Sequence, residues 1–356
     1  MGQLLIAGFN GQQIPAELRS IAREFGLGGV ILFARNVVDP EQVAELSFDA
    51  AQLVADLPVW VSVDQEGGRV ARLKAPFTEW PPMITLSRSG DTALAVRFAR
   101  ALARELKAVG VTLDYAPVLD ILTNPANPVI GERALGQTAH DVARLGGAII
   151  RTLQTEGIAA CGKHFPGHGD TSTDSHFELP LVEHPPERLR EIEFKPFRAA
   201  VDAGVATMMT GHVFVPALDE QRPASLSKRI VTDLLREELH YDGVILTDDL
   251  EMKAIVNDYS VPAAAVLAVE AGCDGVLVCS GDHETQAATV EALVHAVEED
   301  RLRFTRVEDA LARQRRAKER FLATPVAARP LSGRALGATL GRDEHRAIAE
   351  EMARFL

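Results

Sequence analysis

The stretch Gly243-Val244-Ile245-Leu246-Thr247-Asp248-Asp249 decides the fold, because it passes from a purely apolar run directly into two carboxylates. A strand with one face in water alternates apolar and polar residues, whereas a parallel strand buried on both faces does not. The run Val244–Leu246 therefore indicates a buried parallel strand. The segment predicts an α/β protein with polar groups at the carboxyl end of at least one strand.

Similar apolar runs recur along the chain, and each is followed by a stretch with helical periodicity. The predicted strands are Gln3–Ala7, Gly29–Phe33, Val59–Val63, Val111–Ala116, Ile158–His164, Val205–His212, Gly243–Asp248 and Gly275–Cys279. The predicted helices are Pro15–Phe25, Glu41–Ala55, Thr92–Ala108, Ala139–Thr155, Pro186–Ala203, Lys228–Leu239, Pro262–Ala271 and Glu284–Val297. About eight βα units suffice to close a parallel barrel, so we expect a (β/α)8 TIM barrel. A doubly wound open sheet is the competing architecture.

The composition changes near the carboxyl end of the chain. Residues Ala323–Gly341 are rich in Ala, Pro, Gly and Arg, and Asp343–Leu356 has the pattern of a short amphipathic helix. This tail is too short for a second domain. We expect one barrel domain over residues 1–322 and a C-terminal arm over residues 323–356 that packs on the barrel or trails from it.

Charge and cysteine content exclude several classes of protein. The 356 residues include 37 Lys and Arg against 50 Asp and Glu, a net charge of −13 without a basic stripe, which argues against a nucleic-acid partner. Cys161, Cys273 and Cys279 are odd in number and lack CxxC spacing, so we expect a reducing compartment rather than disulfides. The segment Met1–Gly8 has no cationic region and is too short for a signal or membrane span. These features predict a cytoplasmic protein with no membrane partner.

Titratable residues gather where the predicted strands end. Asp64-Gln65-Glu66, Lys163-His164, Gly211-His212 and Asp248-Asp249 each follow an apolar run. Barrel enzymes build their sites at this end of the strands, and isolated buried charges are costly. We expect a polar ligand in a concave mouth, against the alternative that these charges only pair with one another.

The segment Lys163–His176 is the densest of these groups and holds three of the ten histidines, which suggests a metal site. The candidate ligands are His164, His168, Asp170 and Asp174. Pro166 and Gly167 disfavour the helix that would bring the first two histidines onto one face, and Gln3–Gly8 lacks the His-x-His of barrel metallohydrolases. We therefore expect no metal.

An acid/base pair and a nucleophile are the alternative. In Asp174-Ser175-His176 the carboxylate can face the imidazole and raise its pKa, which gives a proton donor near neutral pH. One of the two carboxylates Asp248 and Asp249 could attack an electrophilic carbon, while the other caps the following helix or pairs locally. Strand periodicity alone does not distinguish the two.

Five segments together resemble family 3 glycoside hydrolases, specifically the single-domain bacterial β-N-acetylglucosaminidases of the NagZ type. The resemblance covers most of the chain, and the combination of segments is highly specific. Its carriers are Gly28–Asn36, Val63–Val70, Ile130–Arg133, Lys163–His176 and Leu246–Met252.

The resemblance assigns roles to residues of this chain. It implies that Asp248 is the nucleophile, that His176 is the general acid/base, and that Asp174 orients and tunes His176. It implies a −1 subsite for N-acetylglucosamine formed by Asp64, Arg72, Arg133, Lys163 and His164. The sequence departs from the commonest pattern at Glu132, where Asp is frequent, and at Thr247, where Ser is frequent.

The implied activity is the removal of terminal N-acetylglucosamine from peptidoglycan-derived muropeptides, by double displacement with retention. The low aromatic content of 5% agrees with a pocket for one terminal sugar. No cofactor is expected, and the chain is expected to be a monomer or weak oligomer. Alternatives on the same scaffold are a β-glucosidase, disfavoured because a second domain is lacking, and a phosphorylase. Alternatives from other classes are a Schiff-base lyase that uses Lys163 and an inactive sugar-binding protein.

Overall fold

The structure, a computed structural model, describes residues 1–175, 178–322 and 331–356. Within these residues eight parallel strands form a closed barrel. They are β1 (Leu5–Ala7), β2 (Gly29–Leu32), β3 (Trp60–Val63), β6 (Leu113–Asp114), β7 (Ala159–Phe165), β8 (Thr207–Thr210), β9 (Val244–Asp249) and β10 (Gly275–Val278). Around the barrel their order is β1-β10-β9-β8-β7-β6-β3-β2. A short antiparallel hairpin, β4 (Gln65–Gly67) with β5 (Val70–Ala71), follows β3. The predicted TIM barrel is confirmed, and the open sheet is excluded.

Helices surround the barrel at nearly all the predicted places. They are α1 (Ala16–Phe25), α2 (Pro40–Ala51), α3 (Ile84–Ser89), α4 (Thr92–Ala108), α5 (Ala139–Thr155), α6 (Pro186–Glu191), α7 (Phe194–Asp202), α8 (Lys253–Val256), α9 (Val261–Ala271), α10 (His283–Glu298), α11 (Phe304–Leu322), α12 (Gly333–Gly337) and α13 (Asp343–Ala353). The segment Arg229–Glu238 is a π-helix. Among the helices of the described residues, none has the length and apolarity needed to cross a membrane.

The predicted single helix Pro186–Ala203 is wrong, because the chain is broken between α6 and α7. At the break, Glu193 turns inward and is only 5% exposed, with Arg188 Nη1 3.1 Å from its Oε1. A continuous amphipathic pattern spans the break, so hydrophobic periodicity alone could not reveal it.

Helix α11 closes the amino-terminal end of the barrel. The indole Nε1 of Trp60, the first residue of β3, donates to Gln314 Oε1 at 3.1 Å. Lys318 Nζ donates to Gln3 Oε1 at 2.7 Å, and the ring of Phe321 lies 6.4 Å from that of Trp60. These contacts fill the amino-terminal end of the barrel, so in the described residues the barrel opens toward the carboxyl end of the strands.

The chain after residue 330 packs against the barrel's outer helices. Glu105 of α4 is 2% exposed and accepts hydrogen bonds from the backbone of Thr78 and Gly341 and from His345 Nδ1 of α13, at 2.7–2.9 Å. Nearer the surface, Arg97 of α4 pairs with Glu351 of α13. Residues 323–330 lie outside the described residues, so the division of the chain at residue 322 remains a prediction.

We expect Glu105→Gln to lower the free energy of unfolding by about 1–3 kcal/mol at pH 7, because an amide cannot accept all the bonds that the carboxylate accepts. Burial opposes ionisation, but the bonds from His345 and Thr78 hold the pKa of Glu105 below its usual 4.5. The stabilisation is therefore present above pH 4.5 and lost as the pH falls. Urea unfolding at several pH values measures it.

The matched control is Glu351→Gln, which removes a more exposed carboxylate between the same two helices. We expect a loss below about 1 kcal/mol for this variant. Equal losses for the two variants would contradict the role given to Glu105.

Candidate active site

A cavity of about 390 Å³ opens at the carboxyl end of the strands, within the usual range for small-molecule sites. We call it the mouth cavity. It is lined by Ile31, Phe33, Asp64, Glu66, Arg69, Val70, Arg72, Tyr115, Pro128, Val129, Arg133, Lys163, His164, His168, Asp174, Ser175, Met209, Asp248, Asp249, Met252, Leu277 and Cys279. Seven of the eight predicted site residues border it, and the eighth, His176, lies outside the described residues.

The floor of the mouth cavity is a network of alternating charges. Lys163 Nζ at the end of β7 lies 2.8 Å from Asp64 Oδ1 and 2.7 Å from Glu66 Oε1. Arg133 donates two hydrogen bonds of 2.8 and 2.9 Å to the carboxylate of Glu66, and Arg72 Nη2 lies 3.1 Å from Asp64 Oδ2. The fixed geometry gives a sugar several charged hydrogen-bonding partners in defined positions.

Mutual pairing keeps these buried groups ionised. Burial acts against the charged forms, but Arg133 and Lys163 hold the pKa of Glu66 far below its usual range, and Lys163 and Arg72 lower that of Asp64. Asp64 and Glu66 likewise raise the pKa of Lys163 against the effect of burial. A Schiff-base lysine needs a lowered pKa, so the environment of Lys163 disfavours the lyase alternative.

Asp114, at the end of β6, adds a carboxyl group of a different kind. Its side chain is fully buried, and Oδ1 accepts the backbone N–H of Gln65 at 2.9 Å. Burial raises its pKa well above the usual value. Asp114 therefore holds a proton more readily than Asp64 and Glu66, whose pKa values are lowered.

Both carboxylates at the end of β9 border the cavity, whereas strand alternation predicted that only one would. Asp249 Oδ1 accepts the backbone N–H groups of Glu251 and Cys279 at 3.1 and 3.3 Å, which is the predicted local pairing. Burial raises the pKa of Asp249 to about 7. Burial also opposes ionisation of Asp248, but His164 and His212 lower its pKa, so Asp248 is the stronger candidate for an anionic nucleophile.

Asp120 accepts hydrogen bonds from both His164 and His168, the two histidines that are candidate metal ligands in the sequence. Its Oδ2 accepts from His164 Nδ1 at 2.6 Å, and its Oδ1 accepts the backbone N–H of His168 at 2.6 Å. In the described residues no group of three or more His, Cys, Asp or Glu side chains is arranged to hold a metal ion. The two rings instead serve hydrogen bonds within the wall of the cavity.

Sequence reasoning missed the roles of Glu66 and Asp120. Glu66 lies in the hairpin β4–β5, which the sequence analysis did not predict, and its charge joins Lys163 to Arg133. Asp120 follows β6 by six residues and so lies beyond the strand-end position that we searched. The available signal was the short run Val118-Leu119-Asp120, a second apolar-to-acidic transition in the same loop.

We expect Glu66→Gln to lower the free energy of unfolding by about 3–5 kcal/mol, because the neutral side chain leaves two buried cations short of a counter-charge. The control is Glu132→Gln, an exposed carboxylate in the same region, which should change stability by less than about 0.5 kcal/mol. Denaturant unfolding checks both. A Glu66→Gln protein as stable as the control would show that the network is not coupled as described.

Comparisons with known proteins agree with this geometry. Residues 1–317 match the model of the glycosyl hydrolase family 3 N-terminal domain. β-Hexosaminidase A from Pseudoalteromonas piscicida is 33% identical over 96% of this chain, which spans 60% of that protein's length.

Two solved structures are also similar. A family 3 β-N-acetylglucosaminidase from Paenibacillus sp. str. FPU-7 is 44% identical with a TM-score of 0.95, and the match covers 99% of this chain and 67% of that one. NagZ from Neisseria gonorrhoeae, solved with N-trifluoroacetyl-D-glucosamine, is 30% identical with a TM-score of 0.79 over 99% and 97% of the two chains. With its barrel, its charged mouth cavity and a family match over most of its length, the chain belongs to glycosyl hydrolase family 3.

Proposed function

We propose that the protein is a retaining exo-β-N-acetylglucosaminidase. The proposal depends on one observation: Asp248 lines the same cavity as the ionised network of Asp64, Glu66 and Lys163. An anionic carboxylate beside fixed partners for sugar hydroxyls is what glycosyl transfer to an enzyme requires. The similar structure from Paenibacillus, a β-N-acetylglucosaminidase, supplies the expected sugar, N-acetylglucosamine.

The proposed reaction has two displacement steps. Asp248 attacks the anomeric carbon while His176 gives a proton to the departing glycosidic oxygen, which leaves a glycosyl ester on Asp248. His176, now neutral, then takes a proton from a water molecule that attacks the same carbon and releases the sugar. Asp174, which borders the cavity, supports the protonated imidazole as a neighbouring negative charge.

The five residues proposed for the −1 subsite act as positioning groups in this scheme. They are Asp64, Arg72, Arg133, Lys163 and His164, and each borders the cavity. Because their ion pairs are formed before a sugar arrives, they need little rearrangement to hold its hydroxyl groups. Arg72 also lies over the ring of Phe33, 5.5 Å from its centre, which fixes the guanidinium at the cavity wall.

The closed lower end of the barrel supports exo-action. Trp60, Gln314 and Lys318 fill the space beneath the cavity, so a chain cannot thread through the barrel. A terminal sugar can enter while the rest of the substrate stays outside.

We further propose a muropeptide substrate, a role in peptidoglycan recycling and a cytoplasmic location, with the protein a monomer or weak oligomer. Support for an anionic aglycone comes from the positive charge of Arg69, an exposed residue that lines the cavity. Its guanidinium donates hydrogen bonds to the backbone oxygens of Pro128 and Val129. The three cysteines are free and buried, as in a protein built for a reducing compartment.

The test is the release of 4-nitrophenol from its β-N-acetylglucosaminide and its β-glucoside, with a chelator present. Wild type should cleave the acetamido sugar, and Asp248→Ala should reduce kcat by at least about 10⁴-fold because no nucleophile remains. Asp249→Ala is the neighbouring control and should retain far more activity.

Cleavage of neither glycoside by folded wild-type protein would contradict the proposal and favour a sugar-binding protein. Preference for the glucoside would make the chain a β-glucosidase. A sugar 1-phosphate formed only in the presence of inorganic phosphate would make it a phosphorylase.

A histidine acid/base should tolerate an anionic aglycone better than a carboxylate would, because imidazole is neutral or cationic throughout the cycle. We expect His176→Glu to lower kcat/KM more for an aglycone that bears a carboxylate than for its methyl ester, by roughly tenfold for charges about 4 Å apart. Steady-state kinetics on the two substrates measures this. Equal penalties would remove the electrostatic argument for an anionic aglycone.

A further inference from the structure

The ring of His168 joins the two ends of a loop segment on the cavity wall. Its Nδ1 is 2.7 Å from Thr171 Oγ1, and its Nε2 is 3.2 Å from Ser175 Oγ. His168 and Ser175 are each only 2% exposed. Ser175 directly precedes His176 in the chain and directly follows Asp174, so this contact fixes the loop next to the proposed acid/base pair.

The same histidine is tied to the proposed sugar-binding wall through Asp120. One oxygen of Asp120 accepts the backbone N–H of His168 at 2.6 Å, while the other accepts from the ring of His164 at 2.6 Å. Burial opposes ionisation of this carboxyl group, but His164 lowers its pKa, so it is an anionic acceptor. The buried side chain of Asp120 therefore connects His164, in the proposed sugar-binding wall, with His168, in the loop that precedes His176.

Further bonds hold this loop on both sides. Asn127 Nδ2 donates to the backbone oxygen of His168 at 2.8 Å and to Thr171 Oγ1 at 3.2 Å. On the opposite side, the backbone N–H of Ala254 in α8 donates to the backbone oxygen of Ser175 at 3.3 Å. Since α8 follows β9, this contact relates the loop to the strand that carries Asp248.

His168 itself is suited to a positioning role and not to proton transfer with the substrate. Burial lowers its pKa, so the ring is neutral at pH 7. Both of its nitrogens face hydroxyl groups, which can each donate or accept and so satisfy either tautomer. A neutral ring also adds no positive charge that would compete with His176.

We propose that Asp120, His168 and Ser175 form a positioning chain that sets the acid/base loop against the sugar held by His164. The inference rests on the proposed glycosidase function and deepens it. Proton transfer to the leaving oxygen needs a donor within hydrogen-bond reach, and a shift of about 1 Å at such a group can cost roughly 100-fold in rate. Loss of the chain should therefore impair proton donation more than sugar binding.

Leaving-group dependence separates these two effects. The first displacement determines kcat/KM, and an acidic leaving group such as 2,4-dinitrophenol departs without a proton, whereas 4-methoxyphenol needs one. We expect Ser175→Ala and His168→Ala to lower kcat/KM for the 4-methoxyphenyl β-N-acetylglucosaminide by roughly 10- to 100-fold. The value for the 2,4-dinitrophenyl glycoside should change by less than about threefold, and its retention shows that the variant is folded.

Two control variants define the comparison. Ser172→Ala removes the same hydroxyl group from an exposed position of the same loop and should leave both substrates unaffected. Arg133→Lys, in the proposed −1 subsite, should lower kcat/KM for both substrates by similar factors because it weakens the grip on the common sugar. Azide should also raise kcat of Ser175→Ala on the dinitrophenyl glycoside, since this small anion needs no general base in the second step.

Equal losses on the two substrates in Ser175→Ala and His168→Ala would overturn the inference, since they would indicate a general structural role. Unchanged kinetics on both substrates would overturn it as well. Wild-type protein that cleaves neither glycoside would instead overturn the proposed function, and the inference with it.

Discussion

The structure of the mouth cavity depends on the placement of Lys163 between Asp64 and Glu66. A buried ammonium group is costly, and here two carboxylates at 2.8 and 2.7 Å keep it charged. Arg133 and Arg72 complete the network and keep the two carboxylates ionised in turn. These side chains form a rigid polar floor and are already oriented to bind a ligand with hydroxyl groups. The charged state of each side chain depends on the presence of the others.

The two ends of the barrel differ in the work of their buried polar side chains. At the amino-terminal end, hydrogen bonds of Trp60, Gln314 and Lys318 close the barrel. At the carboxyl end, charged residues from the strand ends and from the following loops line the mouth cavity. The loop after β6 contributes Asp120 and the loop after β7 contributes His168, so that the wall of the cavity is built by side chains from neighbouring βα units.

Much of this architecture could be predicted from the sequence, since all eight predicted barrel strands are present and each end lies within two residues of its predicted position. Buried parallel strands are recognisable because they are apolar on both faces, and Val244–Leu246 is a clear example. The break between α6 and α7 and the hairpin β4–β5 escaped prediction, because the amphipathic pattern continues across the break and because the hairpin strands are only three and two residues long. The residues of the −1 subsite came from the resemblance, and the structure brings them to one cavity. An apolar-to-acidic transition marks Asp120 in the sequence, but its role could not be predicted because it depends on two partners, His164 and His168, that are more than forty residues away.

The central claim, that Asp248 forms a covalent bond with the sugar, is tested most directly by peptide mapping. His176→Ala should accumulate the glycosyl-enzyme with 2,4-dinitrophenyl β-N-acetylglucosaminide, because departure needs no acid while hydrolysis lacks its base. Rapid acid quench, proteolysis and mass spectrometry would then locate the attached sugar. The account predicts one N-acetylglucosaminyl group on Asp248, and attachment to Asp249 or Lys163 would contradict it.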